Sequence, residues 1–373
     1  MNRKLIIGLA LVVIAAIVAV VFWTQQEGRV TKIGAVLPLS GKLAVFGKDQ
    51  QRALLLAQEK INEEGGLNNN RLEFIFEDSK GEATFGVSAV RKLIDLDRVK
   101  IVFVFKSTII NALQPITDKA NVLLMAFAMD PQISERTPLT FRIYPNMCQQ
   151  TQVMIDYLGK LEPGRLGILY IQTPATEYVI PNLLVPGIKD MGWELAKSLS
   201  FTNADRDLKT HIAKIKQSNP DTIITLAYST TLPTIIKILE EQGMLTKVRI
   251  LGYMDYTFPL EITADLLEGI CFVSPLYSLK PSDERKRSWF EKRYQEKYGE
   301  LPGYDPVFFY DAAMIVGEAI KKEGYSVEGV RRYLQTVKNY SGVSGPISID
   351  ESGDAIVGLE MGIFRDGKRI SLN

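Results

Sequence analysis

The side chains that most often carry covalent, metal or acid–base chemistry are sparse in this chain. His211 is the only histidine in 373 residues, which argues against His-based metal sites and Ser-His-Asp triads. Gly41-Lys42 is followed by Leu43 where a phosphate-cradling loop needs Ser or Thr. Gly342-Val343-Ser344-Gly345 falls short of a nucleophile elbow, and no GxGxxG fingerprint occurs. The paired carboxylates Glu63-Glu64 and Asp205/Asp207 fall on expected polar faces or turns, where solvated surface is the ordinary reading. Cys148 and Cys271 allow one disulfide in an extracytoplasmic compartment, which their spacing does not establish, and two small buried residues is the favoured reading. No catalytic set, metal site or cofactor motif emerges. The chain reads as one that binds rather than one that transforms, so it is not expected to be an enzyme and needs no cofactor.

The elements that must position any binding residues are plain. Short runs rich in Ile, Val, Leu and Phe, without strict alternation, predict strands buried on both faces. They are Ile33–Leu37, Leu72–Glu77, Ile101–Phe105, Val122–Ala126, Leu166–Ile171, Thr222–Ala227, Val248–Leu251 and Ile270–Ser274. Amphipathic helices are expected between them. The stretch Gln50–Glu64 carries Ala53, Leu54, Ala57 and Ile61 on one stripe and stops at Gly65-Gly66. Phe85–Leu96, Asn111–Ala120, Gln149–Lys160, Asp207–Gln217 and Leu232–Gln242 fit the same template, and Asp283–Lys297, Val307–Lys322 and Ser326–Val337 follow Pro275. Strands alternating with helices predict an α/β protein of parallel, doubly wound sheets. The pattern restarts near Tyr144-Pro145, which predicts a second lobe. A hairpin, Gly345–Asp350 turning through Asp350–Asp354 into Ile356–Phe364, is expected to close the chain. Doubly wound sheets bind ligands at the carboxyl ends of their strands, and two facing sheets make a cleft.

The amino terminus sets the compartment. Leu5–Trp23 is an uncharged apolar run behind Arg3 and Lys4. As a helix it spans roughly 28 Å, about a hydrocarbon core. Ala15, Ala16 and Ala19 lie inside the run, and Val20–Trp23 follow them. An uncleaved anchor is favoured over a cleaved signal peptide, and either makes residues 1–28 a segment apart from an extracytoplasmic body. The body is about two domains long. Its 44 basic and 43 acidic residues leave a net charge of +1, evenly spread. That gives no basic stripe for nucleic acid.

Five motifs, in order and spacing, resemble those of the extracytoplasmic solute-binding proteins of the branched-chain amino-acid (Leu/Ile/Val) ABC-importer type. They are Lys32–Gly41 with Phe46-Gly47, Ile61–Asn68, Arg91–Ile94, Tyr310–Ala313 and Ser341–Ile347. The resemblance covers nearly everything after Arg29. It implies two Rossmann-like lobes joined by a three-strand hinge, of the type I periplasmic binding protein kind. Lobe one would be 29–144 plus 276–340, and lobe two 145–275 plus 341–373. The implied function is an extracytoplasmic receptor, tethered by residues 5–23, that traps an amino acid or similar small molecule and delivers it to an ABC permease. A sensor subunit that signals to a receptor partner is the alternative.

The resemblance also implies a site. Ser107-Thr108, at a helix start after the third strand, matches the residues that hold the ligand carboxylate; free N–H groups and the helix dipole favour an anion there. A plain N-cap uses the same residue types. Phe127 and Met129, in the loop after the fourth strand, match the next contact. Met129 stands at the expected Thr, and a thioether donates no hydrogen bond. Val104-Phe105-Lys106 replaces the usual Gly-Pro before the Ser motif. Phe46, Tyr178 and Tyr228 match aromatics around the ligand side chain. Asp255, flanked by Tyr253 and Tyr256, lies near the acid that binds the ligand ammonium, and a turn or cap role uses the same residue.

Overall fold

A computed structural model describes residues 30–202, 204–205, 207–257, 260–279 and 288–372. The expected anchor Leu5–Trp23 lies outside them. Among the described residues no helix is long and apolar enough to cross a membrane.

The first sheet is built by β1 (Val30–Leu37), α1 (Ala44–Glu63), β2 (Arg71–Asp78), α2 (Ala83–Asp95), β3 (Ile101–Phe105), α3 (Ser107–Lys119), β4 (Leu123–Phe127) and β5 (Thr140–Arg142). Its order is β2-β1-β3-β4-β5 and all its pairs are parallel. β3 and β4 are apolar almost throughout because both faces are covered. Ile101 and Phe103 face the α1 side, while Val102 and Val104 face α2 and α3.

The chain then crosses over. α4 (Met147–Leu158) opens with a capping box between Asn146 and Gln149, which fixes where the helix begins. β6 (Arg165–Ile171), α5 (Pro174–Val179), a π-helical turn (Ile180–Leu184), α6 (Val185–Asp190), β7 (Glu194–Phe201), α7 (Leu208–Gln217), β8 (Thr222–Leu226), α8 (Leu232–Glu241), β9 (Arg249–Gly252) and β10 (Cys271–Pro275) follow. A one-turn α9 (Leu276–Leu279), α10 (Trp289–Tyr298), α11 (Tyr304–Glu323) and α12 (Val327–Thr336) come next. The chain ends in β11 (Tyr340–Gly342), β12 (Gly345–Ile349), β13 (Ala355–Ile356), β14 (Leu359–Arg365) and β15 (Lys368–Ser371). The second sheet runs β15-β14-β10-β9-β8-β6-β7, with β14 and β15 antiparallel at one edge.

The two sheets therefore share one order. β2-β1-β3-β4-β5 is repeated as β7-β6-β8-β9-β10. In each, successive connections reverse direction beside the first strand, between β1 and β3 and between β6 and β8. Crevices for ligands form at such switch points.

The last segment departs from the expected division. The hairpin turn Asp350–Asp354 is present, and Ile349 pairs with Ala355 across it. Yet Ile347, Ile349 and Ala355 are buried in the same cluster as β1, β3 and β4. Residues 341–356 pack with the first sheet, and only β14 and β15 join the second. Leu279, expected in lobe one, is likewise buried among second-sheet residues. The expected helix Asp283–Lys297 is seen as Trp289–Tyr298, and residues 283–287 lie outside the described set.

Candidate functional site

The switch-point loops are those that leave β1 and β3 in the first sheet and β6 and β8 in the second. On the first-sheet side, the loop after β1 is held by Asp78. Its carboxylate accepts from Leu39 N (2.9 Å), Ser40 N (3.3 Å), Ser40 Oγ (2.6 Å) and Lys80 N (2.8 Å). Burial pushes this carboxyl up, but the hydrogen bonds from Ser40, Lys80 and Leu39 outweigh it and leave it below the ordinary range. Gly47, in the first turn of α1, has no room for a Cβ, which would lie 2.2 Å from the carbonyl oxygen of Pro38. That close approach brings half-buried Phe46 and buried Gln50, four residues apart on one helix face, up to the β1 loop.

α3 starts at Ser107, so Ser107 is its first helical residue and not its cap. The residue before the helix is Lys106, with φ 84° and no side-chain cap. This backbone region favours glycine. Lys106 Nζ donates to Gly81 O at 2.6 Å, and burial lowers its pKa, with Glu82 opposing. The helix thus begins with an uncapped N-terminus beside a half-buried cation, an arrangement that favours an anion. Ser107 is half-buried and Thr108 exposed.

The residues of the β4 loop depart from expectation. Phe127 has no exposed surface; it stacks on Phe309 at 3.6 Å between ring centres and lies 5.8 Å from Phe103. It is a core residue of the first lobe. Met129 packs against the buried clusters of both sheets, and its carbonyl accepts from Met147 N at 2.9 Å. Its side chain bridges the sheets at the first crossover.

On the second-sheet side, Tyr178 lies in α5, half-buried against the α4 cluster. Tyr228 follows β8 and is 41% exposed. Asp255 sits on the 3₁₀ turn Met254–Thr257 after β9. Its neighbours turn away from it. Tyr253 OH lies 3.1 Å from Thr151 Oγ1, and Tyr256 OH lies 2.7 Å from Thr225 Oγ1, both inside second-sheet cores. Tyr256 fits because residue 252 is glycine: a Cβ there would meet its ring at 2.2 Å. Met254 packs into the first sheet's cluster, and its N–H donates to Gln150 Oε1 at 3.2 Å.

Asp255 therefore stands at the meeting of the sheets. Burial pushes its carboxyl up to about 7, against backbone N–H groups of Ser229 and of Asp255 itself. Its charge acts on phenols from both sides, Tyr228 and Tyr256 from the second sheet and Tyr144 and Tyr304 from the first. Tyr144 and Tyr304 are missed by the sequence reading. Tyr144 lies just past β5, Tyr304 opens α11, and their hydroxyls are 3.4 Å apart. Asp305, next in the chain, is buried and accepts from Gln50 Nε2 at 2.6 Å. The Pro302-Gly303 pair before Tyr304 is the one signal that could have marked this helix start.

Cys148 and Cys271 are free thiols; burial pushes Cys148 up to about 11 and also raises Cys271. Among the described residues no group of three or more His, Cys, Asp or Glu could hold a metal ion.

Two α/β units of the same strand order, with the chain crossing between them, define a two-lobed protein. Residues 30–364 match the periplasmic binding protein family model, and the chain belongs to that family. Leu/Ile/Val-binding protein homolog 7 of Brucella abortus is 22% identical over 368 residues, covering 91% of this chain and 90% of that protein. Among solved structures, a leucine-binding protein of Thermotoga maritima superposes with a TM-score of 0.80 at 23% identity, over 92% of this chain and 98% of that one. A solute-binding protein of an ABC transporter from Rhodopseudomonas palustris, in complex with 3,4-dihydroxybenzoic acid, also gives 0.80, at 21% identity over 92% and 96%. These likenesses confirm the two-lobed α/β fold expected from sequence. As a family of extracytoplasmic binding components, it also places the body outside the cytoplasm.

Proposed function

We propose that the protein captures an α-amino acid or a close analogue between its lobes and hands it to an ABC permease. The observation that supports this is an uncapped helix start at Ser107 in the first lobe, together with Asp255 in the second, whose charge reaches the first-lobe phenols Tyr144 and Tyr304. A carboxylate fits the first pole and an amine the second. Phe46, Tyr178 and Tyr228 are proposed to line the space between. The relatives' names support an amino acid, while a dihydroxybenzoate complex of the same fold leaves the side-chain end to be read from this chain's own residues.

The assigned role is binding without bond making. Ligand stabilises the closed state by its differential affinity for it. The lobes are proposed to be 30–144 with 288–356, and 145–279 with 357–372. Residues 5–23 are proposed to tether them to the membrane.

A thermal-shift screen of the full chain against amino acids, amides and small carboxylates tests this. A ligand at ~100 times its Kd stabilises by roughly 2.7 kcal/mol. The shift should vanish in Ser107→Ala and Asp255→Ala. An equal shift in both variants would move the ligand to a different site.

A further inference from the structure

One cation spans the first-lobe switch point without a counter-ion. Lys106 follows β3 directly, and its N–H donates to Phe127 O on neighbouring β4 at 3.1 Å. Its side chain runs the other way, to Gly81 O in the loop after β2, which accepts from Nζ at 2.6 Å. In the order β2-β1-β3 the stem therefore passes over the carboxyl end of β1. The connection after β1 meets the tip of that stem. A Cβ on Gly81 would lie 3.2 Å from the Leu43 side chain, and one on Gly41 would lie 3.4 Å from Lys80 O. Crevices between such strands are where sheets of this kind take their ligands.

The position is open to solvent and short of negative charge. Lys106 and Ser107 are half-buried, and Ser40, Gly41 and Thr108 around them are exposed. Among the described residues the ammonium has one hydrogen bond, to a neutral carbonyl, and no ion pair. Burial disfavours its charge, and the exposed Glu82 alone opposes this. Asp78, three residues before Gly81, is spent on Leu39, Ser40 and Lys80. The amino ends of α2 and α3, neither with a side-chain cap, add potential of the same sign as the lysine. A partly desolvated cation in such a place is costly until an anion joins it.

We infer that Lys106 is the charge-selecting residue of the cleft: its ammonium pairs with the ligand carboxylate beside Ser107, so the site takes the free acid and rejects the amide or ester. This rests on the proposed amino-acid reading of the site. An ammonium has three rotatable donors on a flexible stem, so it can keep Gly81 O and still meet a carboxylate oxygen. A carboxamide of the same shape brings no charge and leaves Lys106 unpaired.

An amino acid and its carboxamide differ little in shape, so they separate charge from fit. Calorimetric titration of the full chain with L-leucine, L-phenylalanine and the carboxamide of each reads the requirement. At least one free acid should bind ~100-fold or more tighter than its amide. Lys106→Met keeps a stem of similar length at the same backbone position and removes the charge. It should weaken that acid by about tenfold or more and leave the amide unchanged. Lys106→Arg, which retains the charge, should restore part of the loss. Acid affinity unchanged in Lys106→Met, or equal weakening of acid and amide, would make Lys106 a structural pin for Gly81 and overturn the inference; loss of the same binding in Asp255→Ala would keep the amino-acid reading standing. Binding of neither acid, or binding insensitive to Asp255→Ala, would overturn that reading and the inference with it.

Discussion

Arg142 and Asp354 form a fully buried ion pair where the chain passes between the lobes. Arg142 Nε donates to Asp354 Oδ1 at 3.0 Å, and its Nη2 donates to Asp354 Oδ2. The rest of the guanidinium donates to the carbonyls of Ala128, Asp130 and Pro131. Asp354 is bonded further by Ser134 Oγ and by Asn146 Nδ2 at 3.0 Å. Three segments meet in this network: the loop after β4, the start of α4 and the turn before β13. It fixes the base from which two crossovers leave. Removing either charged partner strands the other, so Asp354→Ala or Arg142→Ala should cost about 3–5 kcal/mol. Urea unfolding of the purified chain checks this. A loss under about 1 kcal/mol would show the pair is not buried as described.

Asp311 performs a similar task between two sequence motifs. It accepts from Val343 N and Ser344 N, each at 2.8 Å, and from Ser344 Oγ at 2.6 Å. This joins the Tyr310–Ala313 motif to the Ser341–Ile347 motif, and a Cβ on Gly342 would come within 2.6 Å of the Asp311 carboxylate. Asp311→Ala should destabilise by about 3 kcal/mol through three unmet donors. Ligand affinity should be nearly unchanged.

Lys106 holds φ 84°, ψ 124° next to Ser107. Strain at such non-glycine positions costs about 1–3 kcal/mol. Lys106→Gly should therefore raise the urea midpoint and, by removing the cation beside the helix start, weaken binding of a carboxylate ligand. Equal stability in the two proteins would remove the strain argument.

The half-buried Asp255 carboxyl sets a pH dependence. Asp255 is raised to about 7, by burial first. A raised carboxyl stabilises the fold fully below its unfolded value near 4, and this contribution is lost as pH rises through about 7. The melting temperature of ligand-free protein, measured relative to Asp255→Asn, should fall between pH 4.5 and 7.5. Binding runs the other way. An ammonium group needs the charged carboxylate, so affinity should weaken by up to about tenfold per pH unit below 7. Flat profiles for both quantities would show that Asp255 is neither desolvated in the fold nor a partner of the ligand amine.

Much of this was legible in the sequence because strands buried on both faces are read by composition alone. Ile101–Phe105 and Thr222–Leu226 stand out for that reason. β7 did not: Glu194–Phe201 is an edge strand with only Phe201 fully buried, and its Lys and Ser residues dilute the pattern. The segment Pro174–Asp190 was obscured by Pro181 and Pro186, which break the helix into two short pieces around a π turn. The proposed poles Ser107 and Asp255 come from the resemblance, not from local pattern. Phe127 misled because a residue at a strand's end faces either the cleft or the core, and here Phe309 covers it. Tyr144, Tyr304, Gln50 and Asp305 come together across up to 255 positions of sequence, and no local signal reports such a meeting.

The most direct test of the trap is the distance between its rims. Lys42, after β1, and Glu177, after β6, are exposed on opposite lobes. Spin labels at Lys42→Cys and Glu177→Cys, in a chain with Cys148→Ala and Cys271→Ala, report that distance by pulsed electron resonance. Adding a ligand found in the thermal-shift screen should shift the distribution to one shorter, narrower distance, and Asp255→Ala should abolish the change. A ligand that binds tightly and leaves the distribution unaltered would contradict closure of two lobes on a trapped solute.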